Sequence, residues 1–242
     1  MANWSDPRAS GAASVTGMGM ESAAYDAGLR SFMLSVYNYM ASGILLTGVV
    51  ALVFASSGYA QAVMATPLRW VIMLSPLAFV MVMSFGINRL STFALQACFW
   101  GFATVMGLSM STIFLVYTRE SIAQTFFATA AAFMGLSLYG YTTKKNLSGM
   151  GTFLMMGLIG LIVAMVINIF LQSSMFNMVI SAIGVLIFAG LTAYDTQQIK
   201  NSYAYVAGTD MMGKTIVMSA LNLYLDFINM FQFLLSFMGS RD

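Results

Sequence analysis

The chain has 242 residues, of which 60% are hydrophobic and only 7% are charged, and its formal net charge is +2. Soluble domains carry about 25% charged residues, so this composition excludes an ordinary soluble fold, and the small net charge argues against a nucleic-acid partner. The single cysteine, Cys98, and the absence of histidine exclude an internal disulfide and any histidine-based zinc, haem or catalytic-triad site. We therefore expect an integral membrane protein without a resident cofactor.

Seven apolar runs follow a polar N-terminal segment. Residues 1–31 lack the apolar core of a signal peptide and are predicted to form a disordered tail. Each run is close to the 20 or so residues that a bilayer-spanning helix needs. The predicted spans cover residues 32–55, 70–87, 94–117, 122–141, 152–171, 177–194 and 215–238. The sequence thus predicts an all-α integral membrane protein with one seven-helix domain, 32–238, and a short C-terminal tail, 239–242.

The lysines and arginines predict the orientation of this domain. Those in the N-terminal tail and after spans two, four and six outnumber those on the opposite side, which are Arg69, Arg119 and Arg241. Positive residues are preferentially retained in the cytoplasm. We therefore expect a cytoplasmic N-terminus and a C-terminus on the other side of the membrane.

Asp226 is the acidic residue that most needs an explanation, because it lies near the middle of span seven. An acid there costs about 2.5–3.5 kcal/mol on insertion scales. Asn222 and Asn229 share with it an arc of about 60° on the helix, and Ser219 extends that face. This polar stripe predicts a site inside the bundle that handles protons or ions, with an interhelical hydrogen-bonded clamp as the alternative.

Asp195 is expected to close span six, one turn after Thr192. An acid at a helix end can be solvated at the membrane interface, so its position alone does not separate function from solvation. Arg89, after span two, is predicted to lie on the same side of the membrane. It is either a partner of Asp195 or a plain interfacial anchor.

A contact between the two aspartates would make a pH-sensitive pair without histidine. At about 4 Å and an effective dielectric near 20, two carboxylates repel by about 4 kcal/mol, so the pair would share one proton. Counting from Lys200 and Lys214 places Asp195 about 7 Å and Asp226 about 18 Å from the cytoplasmic boundary. Contact between the two aspartates would then need a tilted helix, or a looser start to span seven around Gly213.

Two C-terminal segments resemble the signature of the Bax inhibitor-1 family, also called the transmembrane Bax inhibitor motif family, in its bacterial members. They are Gly190-Leu-Thr-Ala-Tyr-Asp-Thr-Gln-Gln-Ile-Lys200 and Ala220-Leu-Asn-Leu-Tyr-Leu-Asp-Phe-Ile-Asn229. The turn Gly140-Tyr-Thr-Thr-Lys-Lys145 and the span count extend the resemblance beyond residue 30 to nearly the whole chain.

The resemblance implies a central seventh helix surrounded by the other six, with Asp195 and Asp226 as a pH-sensing pair. It implies that Arg89 corresponds to a basic residue that caps the pair in a closed state. It also implies a pH-dependent calcium leak across the bacterial inner membrane, with a membrane-bound protease as a partner of some members.

A calcium site built on this pair would be weak. Ca²⁺ prefers six to eight oxygen ligands, whereas two carboxylates supply at most four, so Asn222, Asn229, backbone carbonyls or water must supply the rest. Weak binding suits passage through a leak. The expected partners are therefore the lipid bilayer, calcium ions and protons.

Three other classes compete with the leak channel. A non-conducting regulator that binds a membrane protease or other membrane proteins remains open as the alternative. An intramembrane aspartyl protease would share Tyr194-Asp195, but Leu223-Tyr-Leu-Asp226 lacks the expected Gly-x-Gly-Asp, and we do not expect an enzyme. A retinal protein needs a lysine within a span, and every lysine here lies in or beside a loop.

Overall fold

The structure is a computed structural model that describes residues 7–240, with side chains described for 23–240 except Met64. The described residues form helices and no strand. The helices are α1 (Pro7–Ser56), α2 (Tyr59–Met64), α3 (Leu68–Gly86), α4 (Thr92–Met110), α5 (Ile113–Val116), α6 (Arg119–Thr142), α7 (Ser148–Leu171), α8 (Ser174–Val206) and α9 (Met211–Met238). Seven segments are long and apolar enough to cross a membrane, with α4 and α5 together forming one of them. The predicted class, an all-α membrane protein, is confirmed.

Hydroxyl side chains fix the starts of three long helices. Ser91, Thr118 and Ser173 each accept a hydrogen bond from the backbone N–H three residues later, at the starts of α4, α6 and α8. Such N-caps satisfy one of the four backbone donors that a helix leaves unpaired at its start. The turn before α9 contains Gly208 at φ 72°, a conformation that glycine adopts without steric cost. Short loops with defined caps therefore join successive spans.

The C-terminal helix α9 is the centre of the bundle. It has the largest buried share of the seven spanning segments and packs against α1, α4, α6 and α8. The expectation that all six other spans surround it is wrong in detail, because α3 packs mainly against α4 and α7 mainly against α8. These two helices form an outer layer, which leaves space between α7 and α9.

Two helices are longer than their apolar runs. The first helix begins at Pro7, so part of the segment predicted to be a disordered tail is helical, while residues 1–6 lie outside the described residues. The sixth span was expected to end near Tyr194, but α8 continues to Val206. Its extension is held by packing, since Ile199 and Tyr203 are buried and the Tyr203 ring lies 5.4 Å from that of Phe32.

A glycine allows α6 and α8 to approach closely beside the candidate site. A Cβ atom built on Gly140 would overlap the backbone carbonyl of Ala193. Small residues of this kind let membrane helices pack backbone to backbone. The contact fixes the part of α8 that carries Asp195, two residues further along.

Candidate functional site

A cavity of about 720 Å³ lies among α7, α8 and α9. Asp195 and Asp226 both line it, so the structure brings the two predicted aspartates to one wall. From them the cavity extends towards the start of α8 and the end of α9, where Asn177 and Ser236 line it. Its α7 wall is apolar, whereas α8 and α9 contribute the polar side chains.

The two carboxyl groups are in hydrogen-bonding range of each other. Asp226 is only 4% exposed, and no N–H or O–H group of the described residues donates to its Oδ2 atom. Asp195 is half-buried. Carboxylates only accept hydrogen bonds, so a hydrogen bond within this pair requires a proton on one of the two groups.

The length of α8 reduces the predicted difference in height between the two aspartates from about 11 Å to about 6 Å. Asp195 lies 11 residues before Val206, which ends α8, and Asp226 lies 15 residues after Met211, which begins α9. At 1.5 Å per residue these separations are about 17 Å and about 23 Å. The expectation that Asp195 closes its span is therefore wrong. Asp195 lies well inside the helix, about one helical turn from the height of Asp226.

The residues after Asp195 hold α8 against its neighbours. The Thr196 hydroxyl lies 3.1 Å from the Ser137 hydroxyl on α6. Gln197 Oε1 accepts a hydrogen bond from the Leu147 N–H, and its Nε2 donates to the Lys145 carbonyl, both at 2.8 Å. These bonds fix the rotation of α8, which directs the preceding residue, Asp195, towards α9.

The predicted polar stripe on α9 faces the cavity. Asn222, Asp226 and Asn229 all line it, although Asn222 is exposed and the Asn229 amide donates to the Leu225 carbonyl of its own helix. Ser219 is buried and lies outside the cavity lining. The stripe is therefore open to the cavity over Asn222, Asp226 and Asn229.

Thr192 and Arg89 do not join this group. The Thr192 hydroxyl is fully buried and donates to the Phe188 carbonyl of its own helix at 2.8 Å. Arg89 is exposed in the turn after α3, and within the described residues it forms no ion pair with Asp195. Of the two interpretations of Arg89, a partner of Asp195 or an interfacial anchor, the contacts of the described residues favour the anchor, because α3 packs mainly on α4.

Four further polar residues of the cavity were missed. Asn177 and Ser181 lie one turn apart on α8, and both donate to the Ser236 hydroxyl of α9, at 3.2 and 3.0 Å. Gln232 also lines the cavity. Two of the four could have been predicted from the sequence. Gln232 and Ser236 continue the three- and four-residue spacing of Asn222, Asp226 and Asn229 along α9.

The cavity offers few ligands for a metal. No group of three or more His, Cys, Asp or Glu residues that could hold a metal ion occurs among the described residues. Two carboxylates supply at most four oxygens, and the amide oxygens of Asn222 and Asn229 bring the total only to the lower end of the six to eight that Ca²⁺ prefers. The arrangement can attract a cation weakly, with water completing its shell.

Comparison with known proteins agrees with the resemblance. The family described as inhibitor of apoptosis-promoting Bax1 matches residues 29–242. The chain is 42% identical to inner membrane protein YbhL of Escherichia coli (strain K12) over 219 residues, which cover 89% of this chain and 94% of that protein. It is 45% identical over 219 residues to an uncharacterized protein of Rickettsia prowazekii (strain Madrid E), covering 90% and 92%. A protein of Caulobacter vibrioides is 45% identical over 229 residues, covering 89% and 91%. The chain therefore belongs to the Bax inhibitor-1 family.

Proposed function

We propose that this protein is a pH-sensitive calcium (cation) leak channel whose path is controlled by a proton shared between Asp195 and Asp226. One observation carries the proposal. Buried Asp226, whose Oδ2 atom has no protein donor among the described residues, faces a second carboxyl group at the wall of a cavity whose polar side extends to one end of the bundle.

The cavity supports a path for cations on one side of the pair. Amide and hydroxyl groups of Asn229, Gln232 and Ser236 follow one another along α9 between the carboxyl pair and the helix end. Buried polar groups in a membrane helix are costly and are associated with ion and proton pathways. Carboxylates and neutral oxygens attract Ca²⁺ and repel anions.

Hydrogen bonds hold α8 in place on the other side of the pair. Beyond Asp195, the Ser137–Thr196 contact and the two hydrogen bonds of Gln197 join α8 to α6 and to the loop before α7. These bonds fix α8 beside the pair, while exposed Asn222 continues the cavity lining past Asp226 along α9.

Protonation supplies the control. With one proton, the pair carries one negative charge and its hydrogen bond joins α8 to α9. With none, two carboxylates about 4 Å apart repel by about 4 kcal/mol at an effective dielectric near 20. With two, the site no longer carries the charge that attracts a cation. Each step changes either the contact between the helices or the charge in the path.

The proposal places the protein in the bacterial inner membrane. A relative is named as an inner membrane protein, and the excess of Lys and Arg beside the N-terminus and the even loops favours a cytoplasmic N-terminus. The end of the cavity at Asn177 and Ser236 then lies on the non-cytoplasmic side.

Calcium release from liposomes tests the proposal. Purified protein in calcium-loaded liposomes is expected to release Ca²⁺ at a rate that changes between about pH 6 and 8. Asp195→Asn and Asp226→Asn are expected to remove that change, because each eliminates the shared proton. Asp210→Asn is the matched control, since Asp210 is exposed before α9 and outside the cavity.

The rival function is a non-conducting regulator that binds a membrane protease or another membrane protein. If the wild-type protein and both variants release no more Ca²⁺ than empty liposomes across this pH range, the leak channel is refuted. The polar stripe then serves internal packing, and the regulator becomes the better account.

A further inference from the structure

A second large concavity lies on the opposite side of α9, between α1 and α6. Its volume is about 850 Å³, within the range of about 300–1,000 Å³ that is typical of ligand sites. Buried Met33, Met40 and Phe133 form its floor together with Phe227 of α9. Leu34 and Met134 on its rim are more than half exposed. The groove is therefore apolar and open sideways to the bilayer.

Positive side chains lie at one mouth of this groove. Arg30 lines it and is exposed. Tyr141 also lines it, and Lys200 Nζ lies 2.8 Å from the Tyr141 carbonyl and 4.9 Å from the centre of its ring. Lys144 and Lys145 follow directly after α6.

Helix packing brings these charges to the same end of the bundle. The ring of Tyr25, in α1, lies 5.1 Å from that of Tyr203, one turn after Lys200 in α8. Asp26 is the acid on the same turn of α1, and it is exposed. The mouth thus keeps an excess of positive charge.

The length of the groove suits an extended acyl chain. From Arg30 to Leu45 its α1 wall is 15 residues long, or about 22 Å at 1.5 Å per residue, longer than the roughly 15 Å of half a hydrocarbon core. The groove can therefore hold an acyl chain along the full depth of one leaflet.

We infer that this groove, hereafter the α1–α6 groove, binds one anionic phospholipid of the leaflet at the Arg30 end. An acyl chain lies between α1 and α6 along Met33, Met40 and Phe133, and the phosphate is held by Arg30 with Lys200 beside it. Basic pockets between membrane helices on the cytoplasmic side are suited to anionic head groups. This inference is independent of the calcium path, because the groove and the carboxyl cavity lie on different faces of α9.

Native mass spectrometry tests the inference with the purified full chain in detergent and equal amounts of phosphatidylglycerol and phosphatidylcholine. One phosphatidylglycerol is expected to remain bound in preference to phosphatidylcholine. Arg30→Gln is expected to lower phosphatidylglycerol retention about fivefold, since one cation near an anionic surface contributes about 1 kcal/mol. Arg30→Lys should restore most of it. Arg119→Gln is the matched control, because Arg119 is exposed at the other end of α6.

A second pair of variants tests the apolar part of the site. Ala41→Phe places a ring in the α1–α6 groove from an exposed position and is expected to abolish retention of the lipid. Ala131→Phe adds the same ring on an exposed face of α6 outside the groove and should leave retention unchanged.

Three outcomes would overturn the inference. Equal retention of the two lipids by the wild-type protein would remove the anionic site. Retention unaffected by both Arg30→Gln and Ala41→Phe would place the lipid elsewhere. A dimer without lipid that Ala41→Phe dissociates would make a second copy of the chain the occupant.

Discussion

Substitution of Gly140 by alanine is expected to loosen the contact that positions Asp195. Gly140 lies where α6 meets α8, and its added Cβ would overlap the carbonyl group of Ala193. The neighbour is backbone, so no side-chain rotation can relieve the overlap. One helix must move away from the other.

The expected cost follows from comparison with a second glycine of the same helix. Overpacking of this kind costs about 1–3 kcal/mol, while replacing glycine by alanine within a helix gains about 1 kcal/mol. Gly135, also in α6, has no atom within 4 Å of its added Cβ. Both substitutions share the helix gain, so Gly140→Ala should be less stable than Gly135→Ala by about the overpacking cost, 1–3 kcal/mol.

The assay is the free energy of unfolding of the two variants and the wild-type protein in the same mixed micelles, from titration with a denaturing detergent. Gly135→Ala should equal or exceed the wild-type value, and Gly140→Ala should fall below it. Equal stability of the two variants would refute the close backbone contact between α6 and α8.

Three other substitutions test separate parts of the structure. Gln197→Ala should lower the free energy of unfolding by about 1–3 kcal/mol, because it leaves the N–H of buried Leu147 without its acceptor; unfolding titration measures this. Tyr224→Phe removes the hydroxyl that lies 2.6 Å from Thr47 Oγ1, and should cost only about 0.5–1.5 kcal/mol in the same titration, because Thr47 still donates to a backbone carbonyl. Asp226→Leu should leave the protein at least as stable in thermal unfolding, since it removes a buried acid from a membrane helix, and should abolish the pH-dependent release of Ca²⁺. If Asp226→Leu fails to fold, Asp226 stabilises the bundle, and the energetic cost of its burial no longer indicates a function.

The features that depend on a local pattern could be predicted from the sequence. The seven spans follow from the length and hydropathy of each run. The importance of Asp226 follows from its depth and from the three- and four-residue spacing of Asn222 and Asn229. That these side chains face a cavity and not a packed interface depends on the position of α7, which no local pattern specifies.

The depth of Asp195 could not be predicted from hydropathy. The polar residues after Tyr194 suggested the end of a span, yet α8 continues because Ile199 and Tyr203 are buried against other helices. Tertiary packing thus decides whether this acid lies at the membrane surface or beside Asp226. The resemblance to the family implied that the two aspartates pair, and both line one cavity, where position alone left their relation open.

The neighbours of Arg89 could not be predicted from the distribution of charges. Charge counting placed it at the same membrane face as the end of span six, but it carried no information about which helices are neighbours. Although the turn before Arg89 contacts the start of α9, α3 packs mainly on α4, and Arg89 forms no ion pair with Asp195 within the described residues. Among the described residues, two lysines bond across helices at their ends: Lys200 to the Tyr141 carbonyl, and Lys214 to the Ile87 carbonyl at 3.0 Å.

Infrared spectroscopy of the carboxyl groups detects the proton shared by Asp195 and Asp226. At near-neutral pH the wild-type protein should show the carbonyl band of a protonated carboxyl group, which a free surface acid does not show under these conditions. The band should disappear or shift in both Asp195→Asn and Asp226→Asn and should persist in Asp210→Asn. A wild-type spectrum without a protonated carboxyl group between about pH 6 and 8, or a band that neither variant changes, would contradict the account.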